Sequence, residues 1–415
     1  MSERRLGIGI VGSGFITRFH LQSMVAVRDV EVRGLWSPNR EHAAETAKLA
    51  RSLDLGDAVA YGSIAEMVTA PGVDAIWLMG PNHTRVENLE AIVAAAAKRA
   101  IPLRGIACEK PLARNLREAH QMLQIVTKAK IPHAYMEDQI FTPAIDTGRK
   151  ILWARGASAG RPYLARAAEE HSGPHAPWFW MGDLQGGGVL NDMMCHCVLV
   201  VQHLLTKPGQ PYTTVKPVRI TGHIASLKWS RPEYARDLAK RMGKGVDYLK
   251  HPSEDFASVT IEYETDTGTM AIGEATTSWS YVGAGLRLSC EMLGPEYSMN
   301  WNSLNTGLNV FLSRALRGKE GEDLVEKQNA ESGQMPVLPD EANAYGYSAE
   351  NRHLVRSFLH GTKPALTFED GVEVVKILMA AYQSAEEGKT ISLPAKGQES
   401  FKPLVARGKW KPGKR

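Results

Sequence analysis

Short apolar runs alternate with longer stretches of helical spacing over the first third of the chain. Residues 6–11, 30–36, 57–60, 74–79 and 103–108 read as strands, and a last strand closes at Tyr135. Between them, apolar positions recur every three or four residues at 19–27, 40–52, 85–98 and 115–129, which predicts helices. A shorter helix is expected at 63–68, where Ser63 and Glu66 have the spacing of a capping box. Strands alternating with helices of this length predict an α/β fold with a parallel, doubly wound sheet.

The pattern changes around residues 141–143. A helix at 144–155 leads into an extended run at 161–170, then an irregular stretch rich in His, Pro and Trp. Gly186-Gly187-Gly188 precedes an apolar helix at 193–205. Partly alternating strands follow at 218–227, 256–265, 269–278 and 286–293, joined by turns such as Asp266-Thr267-Gly268. This is the signature of an α+β domain with a large, mostly antiparallel open sheet. The charged stretch 229–251 reads as an insertion, a lid or an oligomer contact. Residues 319–340 read as a polar surface loop, and 348–360 and 369–387 as helices. The expected division is a first domain at 1–140, a second at 141–395 and a basic tail at 396–415.

Composition narrows the class. A chain of 415 residues exceeds one ordinary core, and 43% hydrophobic with 23% charged residues is a globular balance. A net charge of +4 gives no case for nucleic acid as a partner, and the tail from Lys402 reads as a solvated or oligomer-wrapping extension. No apolar run approaches the roughly 20 residues that cross a bilayer. Arg4 and Arg5 lead directly into the first strand without signal-peptide features, so a cytoplasmic protein is expected. Cys108, Cys195, Cys197 and Cys290 form neither a disulfide framework nor a paired zinc pattern, and no metal is expected.

The turn Gly12-Ser13-Gly14-Phe15-Ile16-Thr17 joins the first strand to the first helix. Free backbone N–H groups there meet the positive end of the helix dipole, a setting for a pyrophosphate and the fingerprint of dinucleotide binding. Thr17 stands where the third small residue belongs. At the end of the second strand an acidic residue would favour NAD. Ser37 and Arg40 stand there instead, which keeps NADP open beside NAD. Gly12, Ser37, the loop Pro81-Asn82-His83 and Glu109-Lys110 all fall at the carboxyl edge of the sheet, where ligands of such folds sit.

Lys110, at a strand end between Glu109 and Pro111, can donate a hydrogen bond to a substrate oxygen and shuttle its proton. The plain alternative is a surface lysine. Asp192 and His196 are four residues apart and share one helix face. A histidine suits proton transfer near neutral pH, with a carboxylate to fix its tautomer or hold a substrate hydroxyl. The plain alternative is an N-terminal Asp favoured by the helix dipole and a core His. Trp178 and Trp180 fit either a carbohydrate site or core packing, and Arg166, His171 and His175 could read an acidic substituent.

Several motifs in order resemble the Gfo/Idh/MocA oxidoreductase family over nearly the whole chain. They are GSGFIT after the first strand, Pro81-Asn82, CEKP at 108–111 and GGGVLNDMMCH at 186–196, then SEDFASVTIEY and FEDGVEVVKILMAAYQSAEEGK. The resemblance implies a Rossmann domain and an α/β domain whose open sheet packs on substrate and often on another subunit, hence a homodimer or homotetramer. It implies that Lys110 contacts substrate and nicotinamide ribose, and that Asp192 and His196 serve the substrate, with His196 moving the proton. Arg85 replaces the His of the family's Pro-Asn-x-x-His loop. Together with Thr17, the insertion at 100–104 and the insertion at 229–251, this points to a specialised subgroup.

The expected activity is NAD(P)-dependent hydride transfer to or from a hydroxyl or ketone of a sugar, cyclitol or glycoside. The alternative is an NAD-dependent glycosidase that oxidises a sugar at C3, eliminates the glycosidic group, adds water and returns the hydride. It needs a further base, for which Tyr163, Glu169 and His171 are available. A non-catalytic dinucleotide-binding regulator is disfavoured by the presence of both Lys110 and His196.

Overall fold

The computed structural model describes residues 5–243, 245–312 and 333–413. They form two compact units, one of residues 1–142 with Tyr345–Val375, the other of Pro143–Ala344 with Lys376–Arg415. In the first unit the elements run β1 (Leu6–Val11), α1 (Phe15–Met24), β2 (Val30–Trp36), α2 (Arg40–Ser52), β3 (Val59–Ala60) and α3 (Ile64–Thr69). They continue with β4 (Ala75–Leu78), α4 (Arg85–Ala96), β5 (Gly105–Cys108), α5 (Leu116–Ala129) and β6 (His133–Tyr135). The six strands are parallel in the order β3-β2-β1-β4-β5-β6, the doubly wound arrangement expected. The order reverses between β1 and β4, and sheets of this kind bind ligands beyond the carboxyl ends of the strands at such a switch point. Side-chain caps set the helix starts: Asn39 accepts from the His42 amide, Ser63 from Glu66 and Asn115 from Glu118, each at 3.1 Å. Glu66 reaches back to the Gly62 amide at 3.0 Å rather than to Ser63 itself.

Helix α1 begins at Phe15, four residues before its apolar periodicity becomes readable, so its first turn follows Gly14 directly.

The second unit begins with α6 (Pro143–Arg155) and β7 (Leu164–Glu170). After the short α7 (Gly182–Gln185) comes α8 (Val189–Leu205). Then follow β8 (Val215–Ala225), α9 (Pro232–Met242), β9 (Phe256–Thr265), β10 (Met270–Ser278), β11 (Arg287–Gly294) and β12 (Tyr297–Asn302). β13 (Leu308–Leu312), β14 (Gly333–Val337) and α10 (Glu341–Ala344) complete the run. The chain returns to the first unit through α11 (Tyr347–His360), then passes along α12 (Phe368–Glu387) to β15 (Ile391–Ser392).

Seven strands form one sheet in the order β12-β11-β7-β10-β9-β8-β15. It is mostly antiparallel, but β7 runs parallel to β10, which makes the sheet mixed. Alternate residues of β7, β9, β10 and β11 are buried, and the face between them is half-open. Arg166 lies on that half-open face, where it pairs with Glu274 at 2.6 Å and Glu291 at 3.0 Å, so its charge is already answered by the sheet.

Part of the stretch read as a surface loop at 319–340 is strand β14, paired with β13; residues 319–332 lie outside the described residues, as do Arg4 and the last two residues of the tail. The expectation that no run is long and apolar enough to cross a membrane also needs correction. The segment Gly182–Leu205 meets that test by length and composition, yet its 18-residue apolar window is buried throughout, as in a core helix.

The insertion at 229–251 is tied to its own unit. Asp255 accepts from the amides of Leu227, Lys228 and Trp229 at 2.7–2.9 Å and so shapes the turn leading into it. Trp229 donates from Nε1 to the Trp279 carbonyl at 2.8 Å, and Trp229 and Tyr248 both pack on Trp180.

In the first unit, α11 adds Leu354, Val355 and Phe358 to the core built by β1, β2 and α1. Each is fully buried, worth about 1.5–3 kcal/mol apiece. Phe358 lies so close to β5 that a Cβ on Gly105 would sit 2.2 Å from its ring.

Candidate functional site

The glycine turn sits at the switch point. Gly12 has φ +123°, a left-handed conformation, and a Cβ there would meet the Met79 backbone at 2.9 Å, so glycine is demanded twice. Gly14 differs. It is the exposed N-cap of α1 with φ −79°, no side chain caps the helix, and beyond its neighbours in sequence no atom lies within 4 Å of a Cβ placed on it. Packing within the chain gives no reason for glycine at this position. Close approach of a phosphate group to the amides of Phe15 and Ile16 does, and the turn therefore fits a dinucleotide. Ser37 is buried at the end of β2 and Arg40 is exposed at the start of α2. Asn82 is buried in the loop after β4, between half-buried Pro81 and His83.

Lys110 is half-buried, directly after β5, and its backbone is held from both sides. Its amide donates to Glu109 Oε2 at 3.0 Å, and its carbonyl accepts from Arg85 Nη2 at 2.9 Å. Arg85 also donates to the carbonyls of Gly80, at 3.1 Å, and of Pro111. The arginine that replaces the family histidine is thus a clamp tying the loop after β4 to the loop after β5. Burial alone would raise the Glu109 carboxyl. The hydrogen bond and field of His20, then the charges of Lys110 and Arg85, outweigh it and hold Glu109 below the usual carboxylate range.

In the second unit Asp192 and His196 lie one turn apart on α8, both buried. Glu169, on β7, brings its Oε2 to 3.8 Å from His196 Nε2, within ion-pair reach. Of the three further bases considered from sequence, Glu169 is therefore beside His196. Tyr163 precedes β7, six residues away, or about 20 Å along an extended strand. His171 is buried after β7 and accepts from the Gly173 amide through Nδ1 at 2.9 Å, which leaves Nε2 to carry its proton when neutral.

Trp178 is half-buried and stacks on Phe179 with centroids 3.8 Å apart. Trp180 is a packing residue and not a sugar platform. It is 2% exposed, its Nε1 donates to the Pro174 carbonyl, and Trp229, Tyr248 and Trp279 surround its ring.

The start of α8 is built by residues that sequence reading did not single out. Glu254 Oε1 accepts from the amides of Gly188 at 2.9 Å and Leu190 at 3.1 Å, and from the Tyr382 hydroxyl at 2.5 Å. A Cβ on Gly187 would sit 1.9 Å from that hydroxyl, and one on Gly188 would sit 2.4 Å from the Glu254 carbonyl. The glycines let these two side chains reach the helix N-terminus, where a carboxylate also answers the helix dipole. The available signal was two adjacent acids, Glu254-Asp255, directly before an alternating strand. In the first unit, His20 was likewise hidden on the apolar face of α1.

Two family models match the chain. Residues 6–134 match the oxidoreductase family NAD-binding Rossmann fold, and residues 168–393 match that family's C-terminal alpha/beta domain. A levoglucosan dehydrogenase from Pseudarthrobacter phenanthrenivorans is 24% identical, over 94% of this chain and 99% of that protein. A D-xylose dehydrogenase from Paenarthrobacter nicotinovorans is 23% identical over 79% of each. The crystal structure of GenD2 from gentamicin A biosynthesis, in complex with NAD, superposes with a TM-score of 0.74 at 23% identity, covering 94% of this chain and 97% of that one. Levoglucosan dehydrogenase in complex with NADH and levoglucosan gives 0.68 at 20% identity, covering 94% and 100%. Both halves of the chain, sheet order and motifs together, belong to the Gfo/Idh/MocA family of oxidoreductases, enzymes whose N-terminal domain is an NAD-binding Rossmann fold.

Proposed function

We propose that this protein is a dehydrogenase that transfers hydride between NAD, with NADP as a second possible cofactor, and a hydroxyl or ketone of a sugar, cyclitol or glycoside. One observation carries the reading: α8 holds Asp192 and His196 one turn apart, with the Glu169 carboxylate beside His196, in a chain whose other half is a dinucleotide-binding sheet.

Residues 1–140 hold the cofactor in this reading and 141–395 the substrate. The amides of the Gly12–Ile16 turn take the pyrophosphate, Ser37 and Arg40 flank the adenosine ribose, and Pro81, Asn82, His83 and Glu109 line the way to the nicotinamide. When bound, the nicotinamide supplies the hydride acceptor or donor. His196 moves the hydroxyl proton, Lys110 donates a hydrogen bond to the oxygen on which charge develops, and Asp192 holds a neighbouring hydroxyl. His171 and Trp178 serve substrate binding. The second unit's half-open sheet face suits a homodimer or homotetramer.

The test follows absorbance at 340 nm with NAD and then NADP against free sugars, polyols and aryl glycosides, with aglycone release measured in parallel. Reduced cofactor growing with a free sugar or polyol is the expected result. Glu169 beside His196 supports a second reading, the redox-cycling glycosidase, because elimination needs a further base. Aglycone release without net reduction of cofactor would establish that reading instead.

A further inference from the structure

A line of buried hydrogen bonds crosses the first unit and ends at the residue before Lys110. It starts at Trp77 on β4, whose Nε1–H donates to Asn351 Oδ1 on α11 at 3.0 Å. An indole nitrogen only donates, so the Asn351 atom it meets is the oxygen, and the amide orientation is fixed. The Asn351 nitrogen then faces His20 Nδ1 on α1 at 2.9 Å, and also Ser23 Oγ at 2.9 Å and the Tyr347 carbonyl at 3.0 Å. Because that nitrogen donates, His20 Nδ1 accepts and Nε2 carries the hydrogen. Nε2 meets Glu109 Oε1 at 2.7 Å. The other oxygen of Glu109 receives the Lys110 amide. Trp77, Asn351 and His20 are fully buried, and Glu109 is 4% exposed.

We infer that this line positions Lys110: Asn351 holds His20 in one tautomer, His20 holds the Glu109 carboxylate against the Lys110 amide, and the Lys110 side chain is thereby aimed. His20 and Asn351 are positioning residues, acting through Glu109. The inference rests on the proposed role of Lys110 in the reaction.

Its physical basis is the cost of disorder at a reacting group. Lys110 is a flexible side chain on a loop, and a misplacement of about 1 Å can cost on the order of 100-fold in rate. Trp77, Asn351 and His20 lie on regular elements packed in the core and transmit their fixed geometry to that loop. Glu109 faces titratable or charged groups from several elements: His20 on α1, Arg85 on α4, Lys110 beside it, and Glu350 on α11, which in turn faces Glu137. The Glu350 carboxyl is raised well above its ordinary value, first by burial and then by Glu109 and Glu137.

The experiment compares the full-length native enzyme with Lys110→Ala, His20→Phe, His20→Gln and Asn351→Asp, reading kcat, KM and the dissociation constant for NAD. Asn351→Asp keeps size and the acceptor for Trp77 but replaces the donor that His20 Nδ1, Ser23 Oγ and the Tyr347 carbonyl share by an acceptor, so the hold on His20 through an unprotonated Nδ1 is lost. His20→Gln restores a donor and an acceptor on one side chain. The expected pattern is loss of turnover in Lys110→Ala, a fall in kcat of roughly 10- to 100-fold in His20→Phe and Asn351→Asp with KM and NAD affinity nearly unchanged, and partial recovery in His20→Gln. Native kcat in Asn351→Asp, with Lys110→Ala inactive, overturns the inference and leaves the proposed function standing. An active Lys110→Ala overturns both. If His20→Phe fails to fold, Asn351→Asp and His20→Gln decide the matter.

Discussion

Glu254 accepts the Gly188 amide at 2.9 Å and thereby holds a buried carboxyl under the first turn of the helix that carries Asp192 and His196. Burial pushes this carboxyl up to about 7, against the opposing hydrogen bonds from Tyr382, Leu190 and Gly188. The native state therefore binds a proton more readily than the unfolded chain does. Stability is full below the unfolded value near 4.5 and falls as pH rises through 7, by roughly 3 kcal/mol from this group. Urea midpoints from pH 5 to 8 should decline across that window in the native protein. Glu254→Gln should flatten the decline, and an unchanged slope would remove Glu254 as its source.

Gly187 faces the Tyr382 hydroxyl with no room for a methyl group. Gly187→Ala should cost about 1–3 kcal/mol by overpacking. Tyr382→Phe removes the clashing oxygen, so the double variant should be less destabilised than the sum of the singles in a urea cycle. Strict additivity would place the strain elsewhere.

Gly14 is the opposite case. Its backbone suits an L-residue and nothing in the chain crowds it. Gly14→Ala should change stability by less than about 0.5 kcal/mol. It should weaken NAD roughly tenfold or more, read by titration of nicotinamide fluorescence, because the methyl group meets the pyrophosphate. Native affinity in this variant would take the phosphate away from the turn.

Arg85 ties three carbonyls from two loops, a task that needs a planar fork of donors. Arg85→Lys keeps the charge and loses the fork. The expected result is a stability loss of about 1–3 kcal/mol with lowered kcat. A variant with native stability and turnover would show the clamp to be dispensable.

The parallel sheet was legible because β1, β4 and β5 are buried on both faces and read as unbroken apolar runs, with capping residues such as Ser63 and Asn115 marking the helix starts. Lys110, Asp192 and His196 could be named because a strand-end lysine and an i, i+4 acid–histidine pair are local patterns. The chemistry of the glycine turn was equally local, since a strand, two glycines and a helix are consecutive in sequence.

What supports those residues was not local. Asn351 reaches His20 across 331 positions, and Tyr382 reaches Glu254 across 128. Neither partner carries a signal at its own position, because an Asn in the charged stretch of α11 looks like a surface residue and a Tyr in the apolar stretch of α12 looks like packing until its hydrogen bond is seen. The return of α11 to the first core, the parallel pairing of β7 with β10 and the burial of Trp180 were decided the same way. Sequence alone determined most of the elements and named the candidate reacting groups through short-range periodicity and spacing. Only the tertiary structure decided which distant side chains satisfy the buried donors and acceptors that hold those groups in place.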